Sequence, residues 1–507
     1  MRRILAAFLI ILMLCTLLPV NALAADDSAL SQSISGALKD VISAIRPQNI
    51  LTSLRTLIRG IVNVIRNFLP DVDPELPDAP VPYRGAAEDE AYFSDGAFVP
   101  VLRFTVASDV HVVDVGTLTQ ETRLAEIFSY ASSLAQASPS GYTGYDLAAF
   151  LGDISENGSY LSMSRAKSIM DDNRGAAELL CMLGNHEFRA GDEVAPERFE
   201  DIFNMPVRGH ITVNGFHFIY LSPDTPKGKD FSDDAVNWLK GELDKAAEDT
   251  PNKPIFVFHH QHVSGTVYGS ADWGVPTLGE TLASYPQVVD FSAHSHFPVN
   301  DPRSIWQGAF TAVGTGSLSY YEMGLNGVAS AYIYSASGTS GEYARTNAAA
   351  SDADVFWMVE VDAQGSVRMT AYHLDSGKAI VRYGVRKPWN TSSFTYTDAR
   401  YETSAEPVFT KSARVSVDAR SLSGFRCSFP AATCPDNVES YRIELWKDGE
   451  LKTTEHRLSL TFYDDPPKSF SVSFSGLGTG KYEVRVYAVS SFGKESVPLT
   501  AKIKLPF

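Results

Sequence analysis

Cys181-Met182-Leu183-Gly184-Asn185-His186-Glu187 reads as a short apolar strand that stops at a glycine and then presents an amide, an imidazole and a carboxylate. Three polar side chains in a row are poor core material where a sheet ends. They are good site material, because α/β proteins place their chemistry at the carboxyl ends of strands. Four other stretches share the design. Val106-Ala107-Ser108 runs into Asp109-Val110-His111, and Phe150-Leu151 into Gly152-Asp153. Val257-Phe258 runs into His259-His260-Gln261-His262, and Phe291-Ser292-Ala293 into His294-Ser295-His296. The chain has 11 histidines and seven of them lie in these few stretches. Each motif alone has an ordinary reading, as a turn or a capped strand. The concentration at strand ends is what marks a site.

Outward from these motifs, apolar runs such as Leu147–Leu151, Phe216–Leu221, Ile255–Phe258 and Val288–Phe291 alternate with helical stretches. One helix is signalled by Ser232 as N-cap, followed by Ala235, Trp238, Leu239 and Leu243 at helical spacing. This alternation indicates α/β layers over residues 98–385. Beyond about residue 400 the texture changes. Tyr441, Ile443 and Leu445 alternate with charged residues, Asp448-Gly449 supplies a hairpin turn, and Tyr482, Val484, Val486 and Ala488 alternate again. Residues 407–507 are therefore expected to form an all-β sandwich, joined through a linker at 386–406. The closing strands resemble a fibronectin type III module. No internal repeat is evident.

The amino terminus pairs Arg2 and Arg3 with an apolar run from Ile4 to Leu18 and then Ala22-Leu23-Ala24. That is the pattern of a cleaved secretory signal, here residues 1–24, and it implies a secreted or cell-envelope protein. Residues 25–69 carry apolar residues at helical spacing on either side of Pro47. Arg55, Arg59 and Arg66 would suit a membrane or cell-wall surface, whereas a helical hairpin packed on its own protein is the plainer reading. Prolines and acids over 70–97 suggest an extended linker.

A length of 507 residues gives two or three domains, and 44 % hydrophobic with 20 % charged residues is ordinary globular composition. The net charge of -17 argues against a nucleic-acid scaffold held by phosphate neutralisation. Past the signal, only Cys181, Cys427 and Cys434 remain. Cys181 reads as a buried apolar residue, and Cys427 could pair with Cys434.

Asp-x-His, Gly-Asp, Gly-Asn-His-Glu, a lone His and a final His-x-His, in this order, resemble the calcineurin-like metallophosphoesterase superfamily. The resemblance implies a two-sheet α/β/β/α sandwich over 98–385 and two divalent transition metal ions, with Mn, Fe, Zn or Ni all suited to mixed N and O donors. It implies that Asp109, His111 and His296 hold one metal, that Asn185, His259 and His294 hold the other, and that Asp153 bridges them. His259 is preferred to His260 or His262 because it follows directly on the apolar run. Two ions about 3.5–4 Å apart can activate a bridging hydroxide and clamp a phosphate. The implied activity is therefore hydrolysis of phosphate mono- or diesters, with His186 assisting the leaving group and Glu187 orienting its neighbours. On extended strand ends, Asp109 and His111 would face one way, as would His294 and His296.

Two departures stand out. Ala293 replaces the usual glycine, and Glu156 stands where purple acid phosphatases have a tyrosine, so the resemblance does not extend to that subfamily. Tyr268, Trp273, Arg303 and Trp306 could rim a substrate site or simply pack their loops. The rival to an enzyme is a cell-surface adhesion protein whose β-sandwich does the binding and whose α/β domain is a scaffold.

Overall fold

The computed structural model describes residues 81–115, 119–321, 352–462 and 466–505. All of them belong to one compact unit, Leu76–Phe507. The expected signal peptide and the helical segment 25–69 lie outside the described residues.

Twelve strands build the α/β body: β1 (Pro100–Ala107), β2 (Leu147–Leu151), β3 (Glu178–Met182), β4 (Arg208–Val213), β5 (Phe216–Leu221), β6 (Ile255–Phe258), β7 (Val288–Ser292), β8 (Ile305–Gln307), β9 (Thr311–Gly314), β10 (Val355–Asp362), β11 (Val367–His373) and β12 (Ala379–Val385). They form two six-stranded mixed sheets, in the orders β12-β11-β10-β1-β2-β3 and β8-β9-β7-β6-β5-β4. Leu102, Phe104 and Val106 of β1 share one buried layer with Phe218, Phe256, Phe258 and Phe291 of the other sheet. The Phe104 and Phe256 rings meet edge to face at 4.9 Å. Each fully buried phenylalanine contributes about 1.5–3 kcal/mol, so this dry layer is what clamps the sheets together.

Helices cover the outer faces. α1 (Thr119–Gln136), α2 (Tyr160–Asn173) and α3 (Ala195–Phe203) pack on the β1–β3 side through Leu124, Met163 and Phe199. α4 (Asp233–Asp249) lays Leu239 and Leu243 on the other sheet, and the Ser232 hydroxyl accepts from Ala235 N–H as its N-cap. The result is a four-layer α/β/β/α sandwich. Strands buried on both faces explain the near-continuous apolar runs.

Register decides where the loops emerge. β1, β2 and β3 are parallel, with Ala107 beside Phe150 and Phe150 beside Cys181. β6 and β7 are parallel, with Phe258 beside Phe291. The strand ends that carry the polar motifs are therefore level with one another within each sheet.

A second layer pair follows: β13 (Ser416–Ser421), β14 (Gly424–Pro430), β15 (Val438–Lys447), β16 (Glu450–Leu458), β17 (Ser469–Phe474), β18 (Gly480–Ser490) and β19 (Leu499–Leu505). Sheets β13-β14-β17 and β16-β15-β18-β19 close over Cys427, Tyr441, Ile443, Val484 and Val486. Asp448 and Gly449 both take positive φ, as the two-residue turn between β15 and β16 requires.

Residues 81–97 of the first expected linker, whose residues 70–80 lie outside the described residues, and the second linker are more tightly packed than their composition suggests. Phe93 and Phe98 are buried, and Tyr83 bridges to Arg382 on β12. In the second linker, Tyr396 is buried against Tyr383, while Arg400 donates to the carbonyls of Pro302 and Ile305. Aromatic residues in these stretches, together with Asp89 and Asp95 paired to Arg386 and Arg382, decide their placement. Cys181, Cys427 and Cys434 are all free thiols.

Candidate metal centre

The motif residues do not sit on extended strand ends. β1 stops at Ala107 and β7 at Ser292, and Asp109, His111, Asp153, His294 and His296 all adopt left-handed backbone, with φ between 47° and 73°. The alternation expected from strand geometry is thus replaced by a tight loop at each ligand pair. Such a conformation costs a non-glycine residue about 1–3 kcal/mol and persists only where the surroundings over-determine it. Here neighbouring loops hold one another: Asp109 N–H donates to Gly152 O, His111 N–H to Asp153 O, and Ala293 N–H to His260 O at 2.7 Å. Gly184 is needed for contact alone, since a Cβ there would lie 2.2 Å from Asp153 Oδ1.

Three clusters of donor atoms result, each gathered within 4.8 Å: Asp109, His111, Asp153 and His296; Asp153, His260 and His294; and His111, Glu156 and His186. In the first, His296 Nε2 lies 3.0 Å from Asp109 Oδ1 and 3.3 Å from His111 Nε2. In the second, His260 Nε2 lies 3.3 Å from Asp153 Oδ2 and 3.1 Å from Asn185 Oδ1. Asp153 belongs to both. Burial alone would raise its carboxyl, but His260, His186 and His111 hold it well below the usual range. The same opposition leaves Asp109 at about 2, against His296, and lifts His260 to about 9, against Asp153. Burial and the neighbouring His260 drop His294 to about 3.

His186 stands beside this pair of clusters. Its ring is 4.4 Å from that of His111, and its Nε2 is 3.7 Å from Asp153 Oδ2. Its Nδ1–H donates to Glu156 O, and Arg189 donates to its Nε2 at 2.5 Å. The Glu156 carboxylate accepts from His111 Nδ1 at 2.9 Å and from Arg189 at 2.6 Å. Burial works against ionised Glu156, yet the bonds from His111 and His186 keep its pKa well below the usual range. For His186 the sign reverses: burial lowers the pKa, and Glu156 and Asp153 outweigh it, so it is raised. Glu187 points inward, accepting from the N–H groups of Asp153, Ser155 and Gly184 at 2.7–3.0 Å. It ties the loops after β2 and β3 together.

Of the expected site residues, Asp109, His111, Asp153, Asn185, His186, His294 and His296 come together. His259 does not, and that expectation is corrected. Its Nε2 sits 2.6 Å from Asp290 Oδ1 in a fully buried pair, and its Nδ1 bonds Gln261 O. His260, two residues past the end of β6 at Phe258, lies beside Asp153 and Asn185 instead. His262 is taken up by Ser292 and Ser295, and so braces the loop between His294 and His296. Arg189, two residues beyond Glu187, and the carboxylate of Glu156 join the site without a sequence signal of their own. Of the aromatic and basic residues left open, Tyr268 and Arg303 are buried, and Trp273 meets His294 edge to face at 4.7 Å.

The donor set fits divalent metal. Both Asp109 oxygens are buried, and among the described residues neither receives a hydrogen bond of good geometry. A buried carboxylate left so is costly unless a cation compensates it. Mixed imidazole, amide and carboxylate donors suit Mn, Fe, Zn or Ni.

A buried two-sheet site of this kind defines a class of metal-binding α/β sandwich, and residues 102–298 match the model of the calcineurin-like phosphoesterase family. No curated protein matches the chain. Among solved structures, a purple acid phosphatase from yellow lupin (Lupinus luteus) seeds aligns at 11 % identity with a TM-score of 0.37, over 57 % of this chain and about half, 54 %, of that one. A chitinase from Bacillus thuringiensis aligns at 8 % identity with a TM-score of 0.14, over 68 % of this chain and 67 % of that one. Both likenesses are too slight to bear on function.

Proposed function

We propose that this protein is an exported, dinuclear metal-dependent phosphoesterase. The observation that carries the reading is Asp153, a single buried carboxylate shared by two donor clusters. Asp109, His111 and His296 would hold one ion, and Asn185, His260 and His294 the other, with Asp153 common to both. When bound, such a pair of ions lowers the pKa of water and clamps phosphate oxygens. The chain supplies the rest. The loops around Gly184 hold Asp153 in place; Asp109, His111, His260 and His296 are buried, while His294 and Asn185 are partly exposed and leave the site open to substrate. His186, its pKa raised by Glu156 and Asp153, would take a proton at Nε2 once Arg189 turns from that nitrogen to the substrate phosphate, and donate it to the leaving oxygen. Arg189, half exposed beside His186, is positioned to meet substrate phosphate.

The amino-terminal pattern supports export, and the three-plus-four strand order supports a fibronectin type III-like reading of the carboxy-terminal sandwich. The test is hydrolysis of bis(p-nitrophenyl) phosphate beside p-nitrophenyl phosphate by manganese-loaded protein, with Asp153→Ala as control. Turnover abolished in the control supports the reading, and the preferred ester separates diesterase from phosphatase. Absence of both turnover and bound metal in the wild type would overturn it and favour the adhesion protein.

A further inference from the structure

The His296 end of the loop after β7 is braced, through residues of the α/β body, by the carboxy-terminal sandwich. His296 Nδ1–H donates to Tyr320 O at 3.0 Å, which fixes the tautomer and aims Nε2 at Asp109. The next residue, Tyr321, is buried with its ring 4.9 Å from Phe462, just past the end of β16 in the carboxy-terminal sandwich. A second route starts at Phe297, directly after His296. Its ring packs on Tyr268 at 4.6 Å, and the Arg303 guanidinium lies 3.9 Å over the other ring. Arg303 is buried between Asp301 and Glu439 Oε1, 2.8 Å from each, and Glu439 belongs to β15 of the sandwich. The Ser491 hydroxyl, also from the sandwich, donates to Asp301 Oδ2. A charged cluster this deeply buried is tolerable only while each charge keeps its partners. Two of those partners, Glu439 and Ser491, come from the sandwich.

We propose that the carboxy-terminal β-sandwich is a positioning element of the metal centre, holding His296 through the Phe462–Tyr321 contact and the Asp301–Arg303–Glu439 cluster. This rests on the metallophosphoesterase reading above. It assigns the sandwich a role in the chemistry besides any partner it meets. Both routes converge on His296, so the proposal is selective. The ion held with Asp109 and His111 depends on the sandwich, whereas the ion held with Asn185 and His260 does not.

The test is Mn²⁺ titration of the full chain, followed by calorimetry and by electron paramagnetic resonance of free Mn²⁺, at a temperature well below unfolding. Phe462→Leu and Glu439→Gln are compared with Val484→Ala, which loosens the sandwich core away from both routes. Wild type should bind two equivalents. Phe462→Leu and Glu439→Gln should weaken one of them by about tenfold or more and leave the other unchanged, as loss of a group orienting a ligand does. Val484→Ala should lower Tm and leave both unchanged. If Glu439→Gln does not fold, the conservative Phe462→Leu carries the test. Unchanged binding in the folded variants, or an equal loss in Val484→Ala, would overturn the proposal. A wild type that binds no metal would instead overturn the phosphoesterase reading, and this proposal with it.

Discussion

At His259 and His260, adjacent residues of one type do opposite jobs. His260 faces Asp153 and Asn185, while His259 turns back to Asp290 beneath the sheet. His260→Ala should cost one of two bound metals, weakening it about 100-fold or more, and abolish most turnover; metal analysis and kinetics check this together. His259→Ala should keep both metals but lower stability by about 3 kcal/mol, because Asp290 is left buried without its partner. Denaturant unfolding separates the two variants. Gly184→Ala tests contact rather than charge. Its Cβ would meet Asp153 Oδ1, so the variant should fold with impaired metal binding, read by the same titration.

Between elements, the site depends on loops that hydrogen-bond one another rather than on any single strand. Glu187 is the knot between the ends of β2 and β3, accepting three backbone N–H groups. Glu187→Ala leaves those donors without their acceptor and should destabilise by about 3 kcal/mol, with weaker metal binding. Farther out, Glu360 on β10 pairs with Arg103 on β1 and Arg368 on β11. Burial opposes its ionisation, but the two guanidinium groups lower its pKa. A carboxyl depressed in the folded state contributes stability above its unfolded pKa of about 4.3, and that contribution is lost as pH falls through the folded value. Glu360→Gln should therefore be less stable at pH 7, and its stability should fall less steeply below about pH 4. Thermal unfolding across pH reads both effects.

For the molecule as a whole, the proposed function predicts that metal and fold are coupled. An ion present at about 100 times its dissociation constant adds about 2.7 kcal/mol per site to the folded state. Chelation should lower Tm, and it should lower that of Asp153→Ala far less. Differential scanning calorimetry with and without chelator checks this. The extent of packing along the chain is also a whole-molecule property. Phe93, Tyr396 and Phe462 join the α/β body to segments that composition alone presents as linkers or as a separate module.

The sequence by itself determined the layered α/β architecture and the all-β carboxy-terminal region, and it marked seven polar residues that the fold brings together. Apolar runs, turn residues and the order of polar strand ends are local properties of the chain. Only the tertiary structure decided that His260 rather than His259 faces Asp153, because that depends on where β6 ends relative to the opposite sheet. It alone put the candidate ligands on left-handed loops, since the cost of that backbone is met by hydrogen bonds between segments far apart in sequence. Glu156 and Arg189 joined the site for the same reason: a carboxylate and a guanidinium have no role until folding sets them against His111 and His186.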